Sequence, residues 1–239
     1  RVIVGTTDTP RATIDLEPCA LDEEIDYVLR HAARYLTRDP RRTDILSVFA
    51  GLRPLVSAGP GEDTAALSRD HTLQVSRSGL VTITGGKWTT YRQMAEDTVD
   101  HAAVLAGLDP VPCSTRSLRL HGWHDDAGRF GELSVHGADA PAVERLCASS
   151  AELGRTLHPS LSIRMGEVIW AVRHEMARTV EDVLARRTRA LLFDAEAAAA
   201  SAPAVARVMA RELERDERWI HDQITRFGDL AQGYRGALA

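Results

Sequence analysis

The chain has 239 residues, of which 44% are hydrophobic and 26% are charged, and its formal net charge is −5. This composition excludes a disordered or collagen-like chain, and the negative charge argues against broad electrostatic binding of nucleic acid. No stretch approaches the roughly 18 apolar residues that indicate a membrane-spanning helix, and three widely spaced cysteines without a CxxC pair indicate a reducing compartment.

The chain begins with Arg1 and a β-branched run at 2–4, without an initiating Met or a signal-peptide pattern. An apolar run at the first residue is typical of a strand already in progress. We therefore expect a strand at 2–4 and expect this chain to be a piece of a longer protein, which would leave part of any active site outside it.

Residues 1–108 alternate between helix and strand signals, which predicts a mixed α/β fold for this part of the chain. In chain order, the predicted elements after residue 4 are a helix over 22–37, a strand over 45–49, a hairpin of 71–77 and 80–84, and a helix over 88–106. The hairpin is predicted from alternating apolar and polar residues around Ser78-Gly79, and Gly107 predicts the end of the helix over 88–106.

Beyond residue 108 the character of the sequence changes. Two prolines in Asp109-Pro110-Val111-Pro112 indicate a stiff connection, so we predict a linker over 109–137. Residues 138–239 contain little strand signal and much Ala, Leu, Arg and Glu, which predicts an all-α domain. Its expected features are a helix start at Asp139-Pro141, a stripe of Val168, Ile169, Val172 and Met176, a capping box at 179–182, and a last helix from Pro203 to Phe227.

The strongest local motif is Gly85-Gly86-Lys87, which follows a β-branched strand and precedes a helix. Paired glycines let a ligand approach the backbone, and the start of a helix favours negative charge. Lys87 is the one lysine beside 28 arginines, which points to a position where an ammonium group is required. The alternative is a structural turn with a surface lysine, and the spacing is not that of a Walker loop.

Two further motifs carry arginines that could bind an anion. Arg53 lies just after a predicted strand and before Pro54, a rigid mount for a guanidinium that matches phosphate or carboxylate. The alternative for Arg53 is an ion pair with an Asp of its own chain. Arg69 stands beside Asp70 and His71 at the start of a strand. Neighbouring strand residues point to opposite faces, so we expect Asp70 and His71 not to pair, and we favour Arg69 as the ligand contact.

The run His121-Gly122-Trp123-His124-Asp125 has the composition of a metal site but lacks a convincing third ligand nearby. We therefore interpret it as an irregular polar loop, and we predict no metal site in this chain.

Taken together, these stretches resemble the C-terminal half of flavin-dependent glycerol-3-phosphate dehydrogenases of the aerobic respiratory type. The resemblance covers nearly the whole chain. It is carried by Gly5-Thr6-Thr7-Asp8, Gly51-Leu52-Arg53-Pro54-Leu55, Ser68-Arg69-Asp70-His71, the run from Gly85 to Arg92, and the helical run from Met176 to Arg189.

The resemblance implies the end of a D-amino-acid-oxidase-like FAD and substrate domain over 1–108, followed by the helical domain. It implies oxidation of sn-glycerol 3-phosphate to dihydroxyacetone phosphate, with hydride transfer to FAD. Lys87 and Arg53 would be catalytic and would bind substrate together with Arg69 and Thr7. The implied cofactor contacts are Gly85, Gly86, Lys87, Thr89 and Thr90, the last two through their N–H groups.

The resemblance also implies parts that this sequence does not contain. A Gly-x-Gly-x-x-Gly turn is absent from the 239 residues, so we expect the chain alone to bind FAD poorly and to be inactive. Electron transfer to quinone and a cytoplasmic location, with association at the cytoplasmic face of a membrane, belong to the same expectation. Two other hypotheses stay open: a related FAD-dependent amine or amino-acid oxidase, and a non-catalytic helical interaction module.

Overall fold

The computed structural model describes residues 1–53 and 70–235. Their contacts define two compact units: one comprises Arg1–Thr7, Asp15–Gly51 and His121–Ala239, and the other comprises Asp8–Ile14 and Leu52–Leu120. We call them the helical unit and the hairpin unit. This grouping differs from the predicted division at 108 and 138, because residues 15–51 belong with the helical residues; the predicted domain boundaries stay a prediction.

The helical unit contains the hydrophobic core. Its largest fully buried side chains include Leu184, Leu191, Met209 and Phe227, and they belong to one cluster formed by the helices of the C-terminal part. The prediction of an all-α C-terminal domain is confirmed. The helices of the helical unit are α1 (Asp22–Ala32), α3 (Ala140–Ala148), α4 (Met165–His174), α5 (Ala190–Phe193), α6 (Ala195–Leu213) and α7 (Glu217–Tyr234), with a 3₁₀ segment at Ala127–Asp139 and a π-helical turn at Asp182–Arg187.

The last part of the helical unit differs from its prediction in two respects. Pro203 does not open a helix but lies inside α6, whose start is capped by the Asp194 carboxylate accepting from the Ala197 N–H at 2.9 Å. The predicted single helix is in fact two, because Glu214 adopts a left-handed conformation with φ of 53°. Asp216 then caps α7 by accepting from the Trp219 N–H. The alanine-rich run favours the helix strongly enough that Pro203 does not end it.

The predicted strands at 2–4 and 45–49 are wrong, because neither segment has regular secondary structure. The backbone polar groups of segment 45–49 instead form hydrogen bonds with the ends of two helices. The Leu46 carbonyl accepts from the Ala195 N–H at 3.0 Å, and the Val48 N–H donates to the Tyr234 carbonyl at 2.8 Å. These partners lie at the start of α6 and the end of α7, where helices leave donors and acceptors unpaired.

Two helix ends also differ from expectation. Helix α1 ends at Ala32 and not at 37, and the Leu36 side chain beyond its end is half exposed. Met176 does not complete the α4 stripe: it has φ of 60° and is 76% exposed. The capping box is present, since the Asp182 carboxylate accepts from the Thr179 N–H while the Thr179 hydroxyl accepts from the Asp182 N–H, each at 3.0 Å.

A partly buried ionic cluster joins the two ends of α4, and it could not be predicted from the sequence. The Glu167 carboxylate accepts from the Arg164 N–H at 2.7 Å and so caps the helix. Its other oxygen lies 3.2 Å from Nε2 of His136, while Nδ1 of His136 lies 3.7 Å from the Glu175 carboxylate. The hydrogen bond to Glu167 and then the nearby Glu175 carboxylate raise the pKa of His136 from 6.5 to about 9.

This cluster predicts that the chain loses stability in alkali. A raised pKa in the folded state means that the stabilisation is complete below pH 6.5 and is lost as pH rises through about 9. We expect the free energy of unfolding to fall by about 2 kcal/mol between pH 6.5 and 9.5, after allowing for screening. Urea titration at both pH values measures it, with His136→Gln as the control. Equal pH dependence in the two proteins would contradict the assignment.

The hairpin unit contains β1 (His71–Val75), β2 (Val81–Gly85) and α2 (Tyr91–Leu105), with a 3₁₀ turn at Trp88–Thr90 before the helix. The strands are antiparallel, and His71 pairs with Gly85. The predicted hairpin and helix are therefore confirmed. None of the residues described in this unit is buried, so its shape depends on turns and polar contacts. No helix in the described ranges is long and apolar enough to cross a membrane.

Candidate functional site

The candidate site is the turn between β2 and α2. Gly85 and Gly86 have φ of 76° and 77°, a left-handed conformation that residues with side chains rarely adopt. A Cβ on Gly86 would lie 2.4 Å from the Met94 sulfur and 3.4 Å from the His71 Cβ. Side chains from α2 and β1 therefore leave no room for a Cβ at Gly86, and the positive φ angles favour glycine at both positions.

Lys87 follows this turn and is fixed through its backbone. The Lys87 N–H donates to the Thr90 hydroxyl at 3.0 Å, and the Thr90 hydroxyl donates to the Lys87 carbonyl at 3.0 Å. The Thr90 N–H donates to the same carbonyl at 2.9 Å. In this arrangement the Thr90 N–H serves the turn, and the cofactor role of Thr90 stays a prediction. The role of the Thr89 N–H stays a prediction.

The Lys87 side chain is exposed. Within the described ranges, its ammonium group makes no ion pair or hydrogen bond. Beside it, Trp88 is 85% exposed and its ring stacks on Tyr91 at 5.5 Å between centroids. An unpaired cation, two glycines without side chains and an exposed aromatic pair thus occupy one turn. This combination suits a flat ligand that carries negative charge.

A hydrogen-bonded pair lies under this turn. Nε2 of His71 is 2.7 Å from the Asp97 carboxylate, and the other Asp97 oxygen accepts from the Gln93 amide at 2.7 Å. The Gln93 hydrogen bond is the main factor that lowers the pKa of Asp97, against the effect of burial. His71 therefore pairs with α2, consistent with the expectation that it does not pair with Asp70. The four-residue spacing of Gln93 and Asp97 is the only sequence signal for this network.

Arg92, the last residue of the Gly85–Arg92 motif, has a structural partner. Its guanidinium donates to Glu96 at 2.7 Å, and Arg116 donates to the other Glu96 oxygen at 3.3 Å. The hydrogen bond from Arg92 is the largest factor that lowers the pKa of Glu96. Arg92 thus holds the first turns of α2 and is not a free cation.

The other predicted site residues are placed differently. Nε of Arg53 lies 3.4 Å from the Asp8 carboxylate, so Arg53 has an ion-pair partner in the hairpin unit. The Thr7 hydroxyl donates to the Glu24 carboxylate at 2.9 Å in the helical unit, where Glu24 also accepts from the Leu21 N–H and caps α1. Arg69 lies outside the described residues. The ligand roles of Arg53, Arg69 and Thr7 stay predictions.

The histidines of the 121–125 run have partners within the chain. His121 lies 2.6 Å from the Asp139 carboxylate, and His124 accepts from the Asp126 N–H at 3.0 Å and packs edge-on against Phe130. Across residues 1–53 and 70–235, no group of three or more potential ligand side chains could hold a metal ion.

The fold class is confirmed: an α/β piece of a D-amino-acid-oxidase-like flavoprotein domain is followed by an all-α C-terminal domain. The family model for the C-terminal domain of alpha-glycerophosphate oxidase matches residues 81–219, and the chain belongs to this family. The match begins at β2 and therefore includes the Gly85-Gly86-Lys87 turn.

Individual relatives agree with this assignment. The chain is 40% identical over 234 residues to a probable mitochondrial glycerol-3-phosphate dehydrogenase of Caenorhabditis elegans, covering 88% of this chain and 32% of that protein. It is 34% identical to the mitochondrial glycerol-3-phosphate dehydrogenase of Mus musculus, covering 98% and 35%. The chain thus spans about a third of the length of these relatives.

A solved structure is also similar. It is the crystal structure of the glycerol-3-phosphate dehydrogenase from Bacillus halodurans complexed with FAD, with 25% identity and a TM-score of 0.75. The match covers 98% of this chain and 49% of that protein. The similarity therefore extends over both units of this chain and about half of the solved enzyme.

Proposed function

We propose that this chain is the C-terminal part of an FAD-dependent glycerol-3-phosphate dehydrogenase, which oxidises sn-glycerol 3-phosphate to dihydroxyacetone phosphate. The observation that carries the proposal is the Gly85-Gly86-Lys87 turn, where an ammonium without a partner among the described residues stands at the start of a helix. The turn lies within the residues that match the family.

The turn fits a bound flavin on the chemistry of its groups. Gly85 and Gly86 present backbone without side chains, and the Thr89 N–H lies in a first helical turn, where donors lack partners within the helix. Such a turn favours an anionic, planar group. When bound, FAD would accept the hydride that leaves the substrate carbon.

The residues of this chain would bind the negatively charged substrate and stabilise the charge that develops during the reaction. The Lys87 ammonium would stabilise the negative charge that develops on the substrate oxygen as the alcohol loses its proton. The guanidinium of Arg53, oriented by Asp8, would hold the substrate phosphate, with Arg69 as a second contact and Thr7 near the substrate. Gly85, Gly86, Lys87 and Thr89 would line the cofactor.

The proposal extends to the fate of the electrons. We propose that they pass to a quinone and that the complete enzyme works at the cytoplasmic face of a membrane. The resemblance to respiratory glycerol-3-phosphate dehydrogenases supports this extension.

The proposal predicts that the 239-residue chain alone does not turn over. With added FAD and sn-glycerol 3-phosphate, we expect no dye reduction above the background of buffer and free flavin. A longer protein, in which the FAD-binding half of a curated relative precedes this chain, should reduce the dye. Robust turnover by the 239 residues alone would contradict the proposal that the FAD-binding half lies in another part of the protein.

A further inference from the structure

We propose that His71 and Asp97 form a positioning pair that sets the place of Lys87 in the reaction. The inference rests on the proposed function, and it adds two residues to which no ligand contact is assigned above. The pair joins β1 to α2, the two elements between which the Gly85-Gly86 turn is pressed.

The first step of the argument is that the turn cannot fix itself. Gly85 and Gly86 carry no side chains and adopt successive left-handed conformations. Within the described residues of this chain, α2 approaches β1 through the Met94 side chain at Gly86 and through the hydrogen bond between His71 and Asp97. This polar contact therefore contributes to the relative position of α2 and the hairpin.

The second step is that the pair acts where the turn is held. His71 is the strand partner of Gly85, and its Cβ faces Gly86 at 3.4 Å from the place of an added Cβ. Its ring is 2.7 Å from Asp97, one turn of α2 beyond Met94, whose sulfur also lies close to the place of a Cβ added at Gly86. Both β1 and α2 thus contact the turn, and the hydrogen bond between His71 and Asp97 connects them.

The third step connects the pair to Lys87. The backbone of Lys87 is bonded to Thr90 in both directions, so Lys87 follows the start of α2. A shift of α2 against the hairpin would therefore move the ammonium relative to the strand end. Displacement of a charge-stabilising group by about 1 Å can lower a rate by up to about a hundredfold.

The pair has defined chemistry. Asp97 accepts from Gln93 on one oxygen, so the other oxygen is free to accept from His71, and Nε2 of His71 is the donor. A glutamine at position 71 can place an amide N–H near the position of Nε2, whereas leucine cannot donate. This difference gives a conservative variant that should restore what the disruptive variant loses.

The test uses the longer protein with sn-glycerol 3-phosphate. We expect Asp97→Ala and His71→Leu to lower kcat about tenfold with KM changed less than about threefold, whereas His71→Gln keeps kcat within about threefold of the unsubstituted enzyme. Asp100→Ala is the matched control, since it removes an exposed carboxylate from the same helix and should leave kcat unchanged.

A double-mutant cycle with Lys87→Ala separates positioning from general damage. If the pair acts through Lys87, Asp97→Ala should cause no further loss once Lys87 is absent. A full additional tenfold loss in that background, or an unchanged kcat for Asp97→Ala alone, would overturn the inference. Unchanged turnover for Lys87→Ala alone would instead overturn the proposed function, so the two failures are distinguishable.

Discussion

Replacement of Lys87 by alanine in the longer protein is expected to lower turnover of sn-glycerol 3-phosphate at least about a hundredfold, the usual effect of removing a group that stabilises developing charge. The expectation follows from the turn, where the ammonium has no partner in the described ranges and stands beside glycines that leave room for a ligand. Steady-state dye reduction measures the change.

Arginine should not restore this activity. Lys87→Arg keeps the charge, but its longer planar fork cannot occupy a compact ammonium site, so we expect a loss nearly as large as that of Lys87→Ala. Arg77→Ala is the control, because it removes an exposed basic residue of the hairpin unit away from the turn. Wild-type turnover by Lys87→Ala would favour the non-catalytic interaction module.

The second large effect is structural. Gly137→Ala is expected to lower the free energy of unfolding by about 4 kcal/mol, since it combines an unfavourable backbone conformation with an overlap. Gly137 has φ of 52° and ψ of −124°, and a Cβ there would lie 1.8 Å from the Gly122 carbonyl oxygen. That oxygen cannot move freely, because it accepts from the Ala138 N–H at 2.9 Å.

The chain provides a matched control for this variant. Gly131 has nearly the same backbone, with φ of 57° and ψ of −123°, but nothing lies within 4 Å of a Cβ added there. Gly131→Ala should therefore lose only the conformational part, about 2 kcal/mol. Urea unfolding of both variants measures the difference, and equal losses would show that the contact between Gly137 and Gly122 has no energetic weight.

The parts of the fold that sequence predicted are those set by local signals. The hairpin follows from alternating residues around Gly79, which has φ of 85° at the turn, and the end of α2 follows from Gly107. The Thr179-Asp182 capping box is equally local. Each of these patterns is complete within a few residues, so the sequence contains the whole cause.

The parts that sequence did not predict depend on distant partners. The extended segment 45–49 has the composition of a strand, but its polar groups bond to the ends of α6 and α7. His136 and Glu167 are 31 residues apart, and no spacing rule brings them together. Pro203 does not mark a helix start, because the alanines before it favour a helix that continues through it.

The candidate site shows the same division. Gly85, Gly86 and Lys87 could be identified from a strand, a turn and a helix in sequence order, and the structure gives the glycines the backbone that only glycine adopts readily. The pairing of His71 with Asp97 could not, since it depends on how α2 packs against the hairpin. The ion pair of Arg53 with Asp8 was foreseen only as an alternative.

The most direct test of the central claim is the absorbance of bound flavin in the longer protein, recorded without oxygen as sn-glycerol 3-phosphate is added. The account predicts that FAD remains bound through purification and that its visible absorbance is bleached by sn-glycerol 3-phosphate but not by glycerol or by amino acids. Protein that retains no flavin, or flavin that is bleached by an amine and not by sn-glycerol 3-phosphate, would contradict it.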